Sequence, residues 1–92
     1  MPNRRVHIVV HGWVQGVYFR AHTADEAKRL GVTGWVRNRP DGTVEAMVEG
    51  GLEKVAAMIR WLHIGSPGAT VTHVQTTEEK PVGEEGEFTI RY

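Results

Sequence analysis

Two short segments concentrate the residues fit for catalysis. The first is Gly12-Trp13-Val14-Gln15-Gly16-Val17-Tyr18-Phe19-Arg20. A β-branched run precedes it and a helix-forming run follows. The first N–H groups of a helix lack intrahelical partners and lie at the positive end of the macrodipole. A glycine-bearing loop feeding such an end can curl its amides around an anion. A guanidinium at the mouth adds planar, bidentate hydrogen bonding to phosphate or carboxylate. Loop amides with Arg20 would thus form an oxyanion cage without a metal. The same residues have a plainer reading, in which Gly12 and Gly16 only shape a tight connection and Arg20 is a surface side chain. No Gly-Lys-Ser/Thr follows the glycines, and the dinucleotide-binding spacing is absent.

The second segment is Gly34-Trp35-Val36-Arg37-Asn38, followed by Arg39-Pro40-Asp41-Gly42 and Thr43-Val44. Asn38 stands where a strand meets a turn. Its amide can cap that turn. It can equally hold a water by donating and accepting at once, which a carboxylate cannot do. Arg37 and Arg39 can add positive potential near Arg20, or are ordinary exposed hairpin residues. The five histidines, His7, His11, His22, His63 and His73, show no His-x-x-Glu-His or comparable metal-ligand spacing. Trp13, Tyr18 and Trp61 can line an acyl pocket or simply pack. Tyr92 at the chain end can approach Arg20, with its carboxylate as a charge partner.

The elements that must hold these residues follow from periodicity. Residues 5–11 predict a strand and 12–16 a loop. Residues from 19 or 20 to 30 predict a helix, with Ala24, Ala27 and Leu30 as its apolar stripe and Gly31 as its stop. Residues 32–38 predict a second strand. In the turn after it, Pro40 presets φ, Asp41 bonds its own backbone and Gly42 accepts positive φ. Residues 43–49 alternate, with Val44, Ala46 and Val48 on one face and Glu45, Met47 and Glu49 on the other, as in a half-buried antiparallel strand. Residues 52–64 predict a second helix through Leu52, Val55, Ala56, Ile59 and Leu62. Residues 69–76 and 87–92 predict two more strands. Between them, residues 78–87 hold five Glu and read as a solvated loop. The order β-α-β-β-α-β is that of a ferredoxin-like α+β sandwich, a mainly antiparallel sheet with both helices on one face.

Ninety-two residues allow one small domain, taken here as 1–92. Lys plus Arg equals Asp plus Glu at 11 each, so a net charge of +0 argues against bulk electrostatic binding to nucleic acid or an anionic membrane. Zero cysteines exclude a disulfide framework, a thiol nucleophile and a thiolate metal site. No stretch has the apolar length of a signal peptide core or a membrane span, and the expected location is the cytoplasm.

Together the two segments closely resemble the signatures of the acylphosphatase family. Val10 to Arg20 fits the first signature, an apolar residue, any residue, then Gly-x-Val-Gln-Gly-Val-x-Phe-Arg, at every fixed position. Gly34-Trp35-Val36-Arg37-Asn38 with Gly42, Val44 and Gly50 fits the second. Gly65-Ser66-Pro67 is a family-like turn, and the resemblance spans essentially the whole chain. It implies the ferredoxin-like sandwich and the hydrolysis of acyl phosphates to a carboxylate and inorganic phosphate. It further implies that Arg20 binds the phosphoryl oxygens together with the amides of Val14, Gln15, Gly16, Val17, Tyr18 and Phe19. Asn38 would orient the attacking water. The resemblance implies a small-molecule acyl phosphate as partner; no cofactor or metal, no nucleic acid or membrane partner, and a monomer are the further expectations. Two other readings share the pattern. One is an RNA-binding βαββαβ module, against which the acidic face of residues 43–49 counts. The other is a non-catalytic acylphosphatase-like domain of the kind found inside larger carbamoyl-transferring proteins, against which the intact Arg20 and Asn38 count.

Overall fold

Alternating β-branched residues build a sheet, and two amphipathic helices close its apolar face. The computed structural model describes residues 3–83 and 85–92. Along the chain run β1 (Asn3–Trp13), α1 (Phe19–Leu30), β2 (Thr33–Asn38), β3 (Val44–Gly51), α2 (Leu52–Ile64), β4 (Thr70–Glu79) and β5 (Thr89–Arg91). The sheet order is β4-β1-β3-β2-β5. The pairs β1–β3, β1–β4 and β2–β3 are antiparallel, whereas β2–β5 is parallel. Each helix crosses over one strand, α1 over β3 and α2 over β1, which is the split arrangement expected of a ferredoxin-like sandwich.

The core lies between sheet and helices. Val6, Ile8 and Val10 of β1 meet Val44, Ala46 and Val48 of β3, with Val36, Phe19, Ala27, Val55, Met58 and Leu62 packed against them. Burying each large side chain contributes about 1.5–3 kcal/mol relative to exposure. Gly34 shows how tightly β2 approaches β3. A Cβ built there would stand 1.8 Å from the Met47 carbonyl oxygen, and its φ of +134° disfavours any L side chain.

Several sequence expectations need correction. β1 runs to Trp13, so Gly12 belongs to the strand at a β-bulge after His11 rather than to a loop. In α2, the inward stripe is Val55, Met58 and Leu62, and Leu52, at the first residue and to one side of it, is 50% exposed. Leu30 is only partly buried, and Thr23 joins Ala24 and Ala27 on the inner face of α1. The face of β3 read as solvent-facing is largely covered, with Met47 and Glu49 both buried. β4 extends through Glu79, so Glu78 and Glu79 are strand residues. Val82 and Gly83 are not freely solvated either, since their N–H groups donate to Glu49. Met1, Pro2 and Glu84 lie outside the described residues.

Candidate active site

The two segments singled out by sequence meet at one end of the sheet. β1 delivers the first and α1 receives it. β2 ends at Asn38, which pairs with Val44 across the hairpin. Between them opens a cleft of about 430 Å³ lined by Val14, Gly16, Tyr18, Phe19, Arg20, Ala21, Asn38, Ile90 and Tyr92.

Residues 14–18 form an irregular turn that swings the chain from strand to helix. Gly16 takes φ 76°, open to glycine. Tyr18, the residue before α1, is left-handed at φ 56° and ψ 29°. Its carbonyl receives the first helical bond, from the His22 N–H at 3.0 Å. Among the described residues, no N–H from 15 to 20 donates to a backbone carbonyl in this turn. These are free donors of the turn and of the helix start, and Gly16, Tyr18, Phe19 and Arg20 among them line the cleft.

Arg20 leaves the first turn of α1 half-buried. It donates from Nη1 to the Arg91 carbonyl at 3.3 Å, and its guanidinium carbon lies 4.7 Å from the centre of the Tyr92 ring. Tyr92 thus approaches Arg20, as the sequence allowed, and it does so through its ring. Cation–π contact of this kind orients a guanidinium while leaving N–H groups free to bind an anion. Asn38 is half-buried, and its Oδ1 is fully enclosed without a hydrogen-bond partner among the described residues. A buried amide oxygen left this way costs free energy until something donates to it.

Gln15 lies in the turn but its side chain points elsewhere. Its Nε2 donates to the carbonyls of Arg39 at 2.8 Å and Thr43 at 2.9 Å. It thereby ties the loop to the hairpin that carries Asn38. Val17 is held from the other side by the Ser66 hydroxyl, which donates to its carbonyl at 3.0 Å. Within the hairpin, Asp41 Oδ1 accepts from the Thr43 N–H at 3.0 Å and its hydroxyl at 2.6 Å. That hydroxyl bond and the backbone bond hold the Asp41 carboxyl below its usual range.

Of the sequence candidates, Val14, Gly16, Tyr18, Phe19, Arg20 and Asn38 border the cleft, and Gln15 and Val17 do not. Arg37 and Arg39 are also absent from its walls. Arg37 bonds Glu45 and lies against Trp35, and Arg39 is 3.9 Å from Asp41. Trp61 packs on Phe19 and Trp13 is 71% exposed. Sequence reasoning did not place Ile90 and Ala21 in the cleft. The alternation of Phe88, Ile90 and Tyr92 was the signal for the first, but only the parallel pairing with β2 brings it there. Among the described residues, no group of three or more His, Asp or Glu side chains is arranged to hold a metal ion.

Residues 6–90 match the family model of acylphosphatase. The chain belongs to the acylphosphatase family. It is 54% identical over 88 residues to an acylphosphatase of Anaeromyxobacter dehalogenans, covering 96% of this chain and 95% of the relative. It is 50% identical to an acylphosphatase of Pelotomaculum thermopropionicum over the full length of both. The crystal structure of the Bacillus subtilis acylphosphatase superposes with a TM-score of 0.93 at 36% identity, covering 97% of this chain and 99% of that one.

Proposed function

We propose that this protein is an acylphosphatase that hydrolyses the carboxyl–phosphate bond of small acyl phosphates, with Arg20 and Asn38 as its catalytic residues. The observation that carries the reading is their meeting in one cleft from two separate segments, beside unpaired helix-start amides. Arg20 and the amides of residues 14–19 bind the non-bridging phosphoryl oxygens. Asn38 presents its enclosed Oδ1 to a water, accepts a hydrogen bond from it, and so aims the water oxygen at phosphorus in line with the leaving group.

Water oxygen bonds to phosphorus as the bond from phosphorus to the acyl oxygen breaks. The electron pair of that bond leaves with the carboxylate. One water proton stays on the attacking oxygen and the other passes to a phosphoryl oxygen, giving inorganic phosphate. A carboxylate whose conjugate acid has a pKa of about 4 departs without a general acid. Phosphoryl transfer then asks mainly for positioning and charge stabilisation, which arginine and amides supply without a metal. We take residues 1–92 as one domain acting as a monomer in the cytoplasm. Among the described residues, no helix is long and apolar enough to cross a membrane.

The test is hydrolysis of benzoyl phosphate by wild type and Arg20→Ala, in chelator. Wild type should turn over, and the folded variant should lose on the order of 10³-fold in rate, as for arginine ligands elsewhere. Equal background rates in both would leave an anion-binding module and refute the reading.

A further inference from the structure

Glu49 lies on β3 at the end opposite the cleft, since Asn38 pairs with Val44 and Thr33 with Glu49 along the β2–β3 ladder. Its side chain is 2% exposed. A carboxylate so deeply buried stays charged only with partners. Arg5 donates to its Oε1 at 3.1 Å. The backbone N–H groups of Val82 and Gly83 donate to Oε1 and Oε2 at 3.2 and 2.9 Å. Those two residues belong to the link from β4, at one edge of the sheet, to β5 at the other. At about 4.8 Å per strand spacing, the link spans roughly 19 Å. Glu49 sits on the central strand beneath it.

Past this point the chain buries Phe88 and forms β5. β5 brings Ile90 and Tyr92 to the cleft and offers Arg20 both the Arg91 carbonyl and the Tyr92 ring. The strand is short, three residues in parallel register with Trp35, Val36 and Arg37. A parallel pairing of that length is a weak anchor by itself.

We propose that Glu49 is a positioning residue for the acyl phosphate site. By fixing Val82 and Gly83 to the centre of the sheet it keeps β5 docked, and docked β5 holds Arg20 in place before substrate arrives. The inference rests on reading Arg20 as the phosphoryl ligand. Without the clamp, β5 leaves the sheet more often, and the fraction of molecules with an assembled cleft falls. Apparent affinity falls with that fraction. Bound substrate itself gives Arg20 a partner, so turnover of the complex is largely kept. The signature is a raised KM at little-changed kcat.

The test uses full-length Glu49→Gln, which is nearly isosteric. Amide exchange at Thr89, Ile90 and Arg91 should quicken about tenfold while α1 and β1 keep their protection. KM for benzoyl phosphate should rise about fivefold, with kcat within about twofold of wild type. Binding of inorganic phosphate, measured by calorimetry, should weaken by the same factor. In a Tyr92→Ala background, where Arg20 has already lost its ring, the same substitution should raise KM less than about twofold. Unchanged exchange in β5, a loss confined to kcat, or fully additive KM effects would each overturn the proposal. Should Glu49→Gln not fold, Glu49→Asp keeps the charge but shortens the reach and is read the same way. A wild type without acyl phosphate hydrolysis would sink the assigned activity, while the exchange and phosphate measurements would still decide whether Glu49 clamps β5.

Discussion

Tyr18 stands in a left-handed conformation that costs a residue with a Cβ about 1–2 kcal/mol, yet its ring is 81% exposed and gains little from packing. Strain without local compensation is typical of residues that shape a site. Here it completes the turn that leaves the helix-start amides unpaired beside Arg20. Asn38 shows the same economy, with a buried amide oxygen that finds no partner within the protein. An amide placed only to cap the turn would have spent that oxygen on a backbone N–H. Asn38→Ala should therefore leave the hairpin folded and lower kcat by roughly 10²–10³, the usual effect of losing one fixed polar group at a reacting centre. Single-turnover kinetics on benzoyl phosphate, with circular dichroism for the fold, would check this. Near-normal turnover in the folded variant would return Asn38 to a structural role.

At the scale of elements, the site depends on two connections being locked to each other. Gln15 supplies the lock, since its two hydrogen bonds join the loop before α1 to the hairpin after β2. Gln15→Ala removes both, while the Arg39 and Thr43 carbonyls keep their backbone donors, the Gly42 and Arg39 N–H groups. Two neutral hydrogen bonds contribute about 1–3 kcal/mol together. If they hold loop and Asn38 in register, kcat/KM should fall about tenfold or more, with only a small shift in the urea midpoint. A loss of stability with unchanged kcat/KM in the folded protein would mean that Gln15 only braces the turn. Much of this arrangement was readable in advance. The helix starts, the hairpin and the apolar face of β3 are local patterns, and two crossovers fix the strand order once the elements are known. What escaped was non-local. The burial of Glu49 depends on a link returning across the sheet from β4. The exposure of Leu52 depends on how α2 is rotated against β1. The place of Ile90 in the cleft depends on β5 pairing in parallel with β2, and a three-residue strand leaves little periodicity to read.

For the molecule as a whole, the net charge of +0 hides an organised surface. The sheet face away from the helices carries ion pairs, and Glu45 is a hub among them. Its carboxylate accepts from His7 Nε2 at 2.6 Å and Arg37 Nε at 2.5 Å while only 13% exposed. Burial pushes this carboxyl up, but the hydrogen bonds from His7 and Arg37 outweigh it and hold it below the ordinary glutamate range. Asp41, bonded by the Thr43 hydroxyl, and Glu26, bonded by Arg29, are lowered too. A folded pKa below the unfolded value means that the unfolded chain takes up protons first as the solution is acidified. The stabilisation is then complete above the unfolded glutamate pKa of about 4.3. It drains away as pH falls through the folded value. Urea midpoints measured at constant ionic strength should therefore drop from neutral pH into the acid range. Glu45→Gln should lie below wild type at neutral pH, and the gap between the two curves should narrow on acidification. Parallel curves would show that Glu45 titrates alike folded and unfolded, leaving Asp41 and Glu26 to account for the acid limb. Arg37 is 49% exposed, so added salt should shrink the neutral-pH gap as well, whereas the apolar core between sheet and helices is indifferent to it.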